Sequence, residues 1–334
     1  MPTIKDIANI LNISSGTVSK GLNNASDISE ELRNKILETA VRIGYTSKRM
    51  KKIENRTFCI FIQNMDYNST NQFGYELILG FKQSALPNGY QVEIVNITQE
   101  TLQQEQYDTY MMKNGYIGGF FIGFTLTDSW LHQMSSTKVP TVLLDNVEPY
   151  NSKVASLGTD NVAAFDQAIK HFYSLGHKKI AFINGEKDSM ISYKRLSAFK
   201  QALKHYSLPR FDGQIVYGNY SQEGARVHVS SLLDMGVTAI ICGSDIMAIG
   251  VISECSRLGY SVPNDISVIG YDDLPLSAHI SPPLTSIKQD RCNLGKLGFS
   301  TLISLMNNVQ ISQTQLRPTF IIRQSTSSCK NKND

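Results

Sequence analysis

Long apolar runs are missing from this chain: nowhere does it reach the roughly 18 consecutive apolar residues of a membrane-spanning helix, so no membrane partner is expected. Cysteine is sparse and scattered. Cys59, Cys242, Cys255, Cys292 and Cys329 are odd in number, and no two lie closer than 13 residues. That spacing excludes a disulfide framework and a zinc finger, and fits free thiols in a reducing compartment. The six histidines include no His-x-x-x-His pair, so no metal site is expected. The opening Met-Pro-Thr-Ile-Lys-Asp lacks a charged segment followed by an apolar one, so the expected location is cytoplasmic. Phosphate-loop, dinucleotide, zinc-protease and nucleophile-elbow motifs are all absent. Asp272 and Asp273 are a tempting carboxylate pair, but neighbours at a strand end point apart. The expectation is a protein that is not an enzyme and carries no cofactor.

Charge of either sign is modest overall, 32 Lys+Arg against 29 Asp+Glu in 334 residues, yet it is unevenly placed. Residues 1–57 hold 10 basic and 6 acidic side chains, while residues 1–47 balance at 5 against 5. The excess therefore sits in Lys48, Arg49, Lys51, Lys52 and Arg56, opposed only by Glu54. A short basic segment between a neutral head and a near-neutral body suggests local contact with a polyanion.

The length predicts two or three domains. The first 45 residues read as three short helices. Ile4, Ile7, Ala8 and Leu11 share one helical face that Thr3 can cap, and Ser14 or Ser15 can cap a second helix carrying Val18 and Leu22. Ser29 precedes a third, with Leu32, Ile36, Ala40 and Ile43 on one side and Gly44 at its end. From Thr57 onward, short apolar runs alternate with amphipathic stretches. The runs are Phe58–Ile62, Val92–Ile97, Gly119–Phe124, Thr141–Asp145, Lys179–Ile183, Thr238–Cys242 and Ile266–Tyr271. The helical patterns between them include Tyr75–Ala85, Ala163–Leu175, Lys194–His205 and Met247–Leu258. This is the signature of an α/β fold with doubly wound parallel sheets, and its length asks for two lobes.

Ala8, Asn12 and Val18 meet the needs of a helix-turn-helix in order: a small residue where the helices cross, one that tolerates positive φ in the turn, and a β-branched anchor pointing back. Ser15, Gly16, Thr17, Ser19, Lys20 and Asn23 are left near the outer face, all short or basic as groove and phosphate contacts require. A plain three-helix bundle would use the same apolar pattern.

Here the sequence resembles a known family. Asp6–Ala8, Thr17–Lys20, Leu22–Asn23 and Gly44–Tyr45 match the head motifs of the lac repressor (LacI/GalR) family. Ser244-Asp-Ile-Met-Ala-Ile-Gly250, Gly270-Tyr-Asp-Asp273, Pro282–Gln289 and Ile322–Thr326 match its body in the same order. The resemblance implies a helix-turn-helix headpiece at 1–46, a hinge at 47–57 and a two-lobed, periplasmic-binding-protein-like effector and dimerisation domain at 58–327. The N-lobe would take about 58–159 and 291–317, the C-lobe about 160–288 and 318–327, with a frayed tail at 328–334. It also implies a homodimeric transcription regulator, expected to be a repressor, that binds a pseudo-palindromic double-stranded operator. The alternatives are a regulator of this fold that answers to a purine or a protein partner, and a sugar-binding protein without DNA function.

On that resemblance the DNA-facing residues of the head are Thr3, Ser15, Gly16, Thr17, Ser19, Lys20, Asn23 and Tyr45. Gly16 has no side chain with which to read a base. Lys20 stands where the family usually has Arg, and either reads guanine or holds phosphate as a point charge. The linker departs from the family, which usually follows Gly-Tyr with Pro-Asn and later an Ala-Arg and a wedging Leu. Lys48 and Arg49 suit phosphate, and Met50 or Ile53 can serve as the wedge; a basic tether that only grips phosphate is the other reading.

Ligands of two-lobed α/β domains bind at strand C-termini, and Asp145, Ser244, Asp245 and Asp272 each follow an apolar run. The resemblance assigns effector contacts to these four and adds Phe73, Arg195, Tyr220 and Gln289. Carboxylates, an Arg fork and an aromatic face suit a sugar or sugar derivative.

Overall fold

The computed structural model describes residues 2–23, 25–45 and 56–330. Two compact units emerge, one of residues 1–65, 78–157 and 295–314, the other of 66–77, 158–294 and 315–334.

The first unit begins with α1 (Ile4–Leu11), α2 (Ser15–Leu22) and α3 (Glu30–Arg42). Thr3 Oγ1 accepts the Asp6 N–H while the Asp6 carboxylate accepts the Thr3 N–H, a reciprocal cap. Ser14, rather than Ser15, caps α2, and Ser29 caps α3. Asn12 takes the turn at φ 52°, ψ 45°, the left-handed conformation that its short polar side chain tolerates. Ile7, Ala8, Val18, Ile36 and Ala40 bury against one another as the core of the head.

A six-stranded sheet follows, built from β1 (Thr57–Ile62), β2 (Gln91–Asn96), β3 (Gly118–Ile122), β4 (Thr141–Leu144), β5 (Val154–Thr159) and β11 (Gln313–Leu316), in the order β11-β5-β4-β3-β1-β2. The pairs from β2 through β1, β3 and β4 to β5 are parallel. Alternation along β1 sends Phe58 to one face, where it meets Phe81 and Phe299 edge-on, and Phe61 to the other, against Tyr107, Phe121 and Trp130. Helices α4 (Phe73–Ala85), α5 (Gln99–Gln104), α6 (Tyr107–Asn114) and α7 (Ser129–Gln133) connect these strands.

The second unit repeats this order with different residues. Its strands are β6 (Ile180–Asn184), β7 (Ile215–Tyr217), β8 (Ala239–Cys242), β9 (Ser267–Asp272), β10 (Thr285–Lys288) and β12 (Thr319–Ile321), arranged β12-β10-β9-β8-β6-β7. All pairs are parallel except β10 with β12. Ile180 and Phe182 pack on α8 (Asn161–Ser174) and α9 (Met190–His205), while Ala181 and Ile183 join the core under α10 (Gln222–Arg226), α11 (Val229–Asp234) and α12 (Asp245–Arg257). The last helix is α13 (Arg291–Met306).

The seven apolar runs anticipated as strands all form strands. β5, β7, β10, β11 and β12 were not anticipated, nor were α5, α6, α7, α10, α11 and α13. β10 buries Thr285 and Ser286, so its polar letters hide a central strand, whereas β11 is half exposed. Order runs further than expected: Cys329, placed in the frayed tail, donates its N–H to the Leu175 carbonyl at 2.8 Å.

Candidate functional site

Backbone conformation marks one edge of each sheet. In the first unit Asn64, Gly123 and Asp145 have positive φ, just past the C-terminal ends of β1, β3 and β4. In the second, Asn219, Tyr220, Asp272 and Asp273 do so at the ends of β7 and β9. Non-glycine residues held this way cost free energy and gather where a site needs them. Parallel α/β sheets carry their ligands at this same edge.

In the second unit the edge is a connected polar surface. Asp272, 6% exposed, accepts a hydrogen bond from Gln289 Nε2 at 2.7 Å, and Thr159 Oγ1 donates to Gln289 Oε1 at 2.6 Å. The Arg195 guanidinium lies 3.9 Å from the centre of the Tyr271 ring and donates from Nη1 to the Gly243 carbonyl at 2.5 Å. The Tyr271 hydroxyl in turn donates to Asn161 Oδ1. One helical turn before Arg195, the Ser192 hydroxyl meets the Tyr220 hydroxyl at 3.3 Å. The Tyr220 ring lies over Gly185 so closely that a Cβ there would fall 2.0 Å from a ring atom. Asp272 and Gln289 are thus joined directly, while Arg195 and Tyr220 are anchored beside the ends of β8 and β7. Tyr271 ends an apolar run whose pattern explains it as packing, while Ser192 and Asn161 lie in first turns that precede the helical patterns legible in the sequence.

Asp245 requires a correction. It is fully buried, and both of its oxygens are engaged by the chain's own donors: Ser286 Oγ at 2.6 Å on one, the Leu274 N–H and Ser277 Oγ at 2.7 Å on the other. Burial first, and the Asp272 charge second, push its carboxyl up to about 7. It braces the 274–286 turn from beneath and does not face a ligand. Ser244 caps α12, its Oγ accepting the Met247 N–H. Phe73 starts α4, half-buried.

In the first unit Asp145 is half-buried at φ 62°, and its N–H donates to the Leu157 carbonyl. In the same unit Asp128, 1% exposed, gathers Gln63 Nε2, Gln99 Nε2 and the Thr125 N–H. Gln63 and Asn146 follow strands β1 and β4 closely, so the rule that singled out Asp145 finds them too.

On the head, Ser15, Gly16, Lys20 and Asn23 are exposed along α2, with Thr17 and Ser19 half-buried. Lys20 Nζ pairs with Asp27 at 2.5 Å, Thr17 Oγ1 lies 2.9 Å from Ser14 Oγ, and Asn23 Nδ2 donates to the Ser19 carbonyl. Thr3 is exposed and occupied in its cap. Tyr45 corrects the expectation: it is 7% exposed and packs in the core of the head. Lys48, Arg49, Met50 and Ile53 lie outside the described residues.

A helix-turn-helix joined to paired parallel α/β units defines a DNA-binding transcription regulator. Residues 3–48 match bacterial regulatory proteins of the lacI family, and residues 169–326 match the periplasmic binding protein-like domain. Catabolite control protein A of Priestia megaterium is 31% identical over 334 residues, covering 97% of this chain and 99% of that protein. The chain belongs to the LacI family. Among solved structures, a complex of the transcriptional regulator CelR with cellobiose has a TM-score of 0.71 at 22% identity, covering 97% of this chain and 100% of that one. The lac repressor dimer bound to operator and the anti-inducer ONPF has a TM-score of 0.69 at 22% identity, covering 98% and 99%. Both share the fold.

Proposed function

We propose that the chain acts as a homodimeric repressor whose hold on a pseudo-palindromic operator is set by a sugar or sugar derivative bound at the strand ends of the second unit. One observation carries this reading: the Thr159–Gln289–Asp272 hydrogen-bond chain at the strand ends, with Arg195 held at the Gly243 carbonyl after β8 and Tyr220 half-buried after β7. Carboxylate and amide oxygens accept from paired hydroxyls, and a tyrosine face stacks on a sugar's C–H face. The structural neighbour in complex with cellobiose points the same way. Ser15, Thr17, Ser19, Lys20 and Asn23 take the base and phosphate contacts from α2, and the 48–53 linker grips the backbone. Asp272 and Asp273 serve different partners, Gln289 and Arg323, and not one shared substrate, in keeping with a regulator rather than a catalyst.

The two-fold symmetry of a dimer would be mirrored in its site, so the operator is found by selection from random duplexes and read for half-site symmetry. Thermal shift against sugars and purines then tests the effector. A carbohydrate should raise the melting temperature of the intact protein, and Asp272→Asn should abolish the shift. Ligand at 100 times its dissociation constant adds about 2.7 kcal/mol, well within reach of this measurement. Stabilisation by purines alone, or by none of the panel, would overturn the sugar reading.

A further inference from the structure

Arg291 opens α13 and is 3% exposed, so a side chain that stays charged at any physiological pH is held out of water. Its Nη2 lies 3.0 Å from a Glu76 carboxylate oxygen. Nε and Nη1 have no hydrogen-bond partner among the described residues. Burying a guanidinium with two of its three nitrogens unpaired is costly, and Glu76, whose side chain is 36% exposed, shares its own charge with water.

Arg291 belongs to the second unit's strand-end surface. Its N–H donates to the carbonyl of Gln289, the residue whose side chain holds Asp272. Glu76 lies one helical turn beyond Phe73 on α4, so the two share a face, and Arg291 reaches that face. Asn71 Oδ1, just before the helix, accepts the Leu276 N–H at 3.1 Å and ties this segment to the turn after Asp272. Glu76 and Arg291 are therefore joined by an ion pair, and the backbone ties them to Gln289 and to the turn after Asp272.

A neutral sugar offers hydroxyls, which both donate and accept, and Asp272 and Gln289 already suit them. Arg291 adds only donors and a permanent positive charge. The group that complements it is an acceptor with negative charge. We propose that the effector carries an acidic group, a carboxylate or a phosphate, and that Arg291 is the residue selecting it. This rests on the sugar site proposed above and narrows its ligand to acidic sugar derivatives.

The full-length protein is titrated calorimetrically with glucose and galactose as the neutral arm, glucuronate and galacturonate as the carboxylate arm, and the corresponding hexose monophosphates as the phosphate arm. One acidic arm should bind at least about tenfold tighter than its neutral parent, as a charge-assisted hydrogen bond predicts. Arg291→Gln should erase that preference while keeping whatever affinity the neutral parent has, and Arg291→Lys should restore part of it. Should Arg291→Gln fail to fold, Glu76→Gln offers a second route: it keeps the guanidinium, removes a competing carboxylate and should tighten acidic ligands only. Neutral sugars binding as tightly as acids, with Arg291→Gln indifferent to the difference, would overturn the acidic group and leave the sugar site standing. No binding in any arm would overturn the sugar site and this inference with it.

Discussion

Asp245 holds its carboxyl where ionisation is expensive. Three donors favour the charged form, but full burial and the Asp272 carboxylate outweigh them and raise it from 3.8 to about 7. The folded protein therefore binds a proton in a range where the unfolded chain has already lost it. The resulting stability is fully present below the unfolded value of 3.8 and is lost as pH rises through about 7. Asp245→Asn keeps an oxygen for Leu274 and Ser277 and offers an amide N–H to Ser286, so it should fold and flatten this slope. Thermal melts of both proteins from about pH 5 to 8 check it, and identical slopes would sink the assignment. The reason Asp245 read as a ligand contact lies in what local sequence reports. Both Asp245 and Asp272 follow an apolar strand, but only the distant 274–286 turn covers one of them, and Gly270 lets it settle there, since a Cβ would stand 2.2 Å from Asp245 Oδ1.

At the scale of elements, patterns that one residue face can carry were legible, and patterns supplied by partners were not. The three head helices, with Thr3, Asn12 and Ser29 at their ends, follow from local chemistry that needs no tertiary contact. Strands β1, β3, β4, β6, β8 and β9, rich in Ile, Phe and Val, follow from burial on both faces, while β2 is half-buried at most. β10 does not, because Thr285 and Ser286 are buried by virtue of the segment that closes over them: Ser325 Oγ accepts the Thr285 N–H and donates to the Val268 carbonyl. That C-terminal segment is also clasped by two histidines. His177, 3% exposed, reaches Ser267 Oγ, Thr238 Oγ1 and the Ser327 carbonyl, and His171 reaches Thr326 Oγ1. Burial lowers both below 6.5, most of all by desolvation, and the neighbours just named are hydroxyls and a carbonyl that leave an imidazolium without a counter-charge. With the folded value depressed, the stability these rings contribute is present above 6.5 and is lost as pH falls toward the folded value. Acidification from about pH 7 should therefore remove the histidines' share of the stability, opposite in sign to that of Asp245, and amide exchange in residues 325–329 should rise ahead of the sheet core. His177→Asn should weaken the acid response, and unchanged exchange in that segment would show that the histidines do not hold it.

For the whole molecule, two units share one strand order without sharing a sequence, and both gather positive-φ residues just past the C-terminal ends of their strands, so one chain path arises twice. The DNA-facing end divides its labour differently. The head is electrically balanced over residues 1–47, and the one lysine of α2 is already paired with Asp27 through an exposed contact worth little against a phosphate. On the proposed reading, base contacts from short side chains on α2 would supply discrimination, but little of the charge neutralisation that dominates DNA affinity. Lys48, Arg49, Lys51, Lys52 and Arg56 supply that charge immediately after the head. Replacing the first four by Gln should therefore weaken operator binding at low salt and shrink the dependence of log K on log salt by roughly 0.9 for each phosphate that is no longer neutralised. The preference for operator over a scrambled duplex should survive, because the bases are read elsewhere. Ser15→Ala with Thr17→Ala should do the reverse, losing the preference while keeping the salt slope. A slope untouched by the linker substitutions would move the phosphate contacts back onto the head, and Lys20 would then have to leave Asp27 to make them.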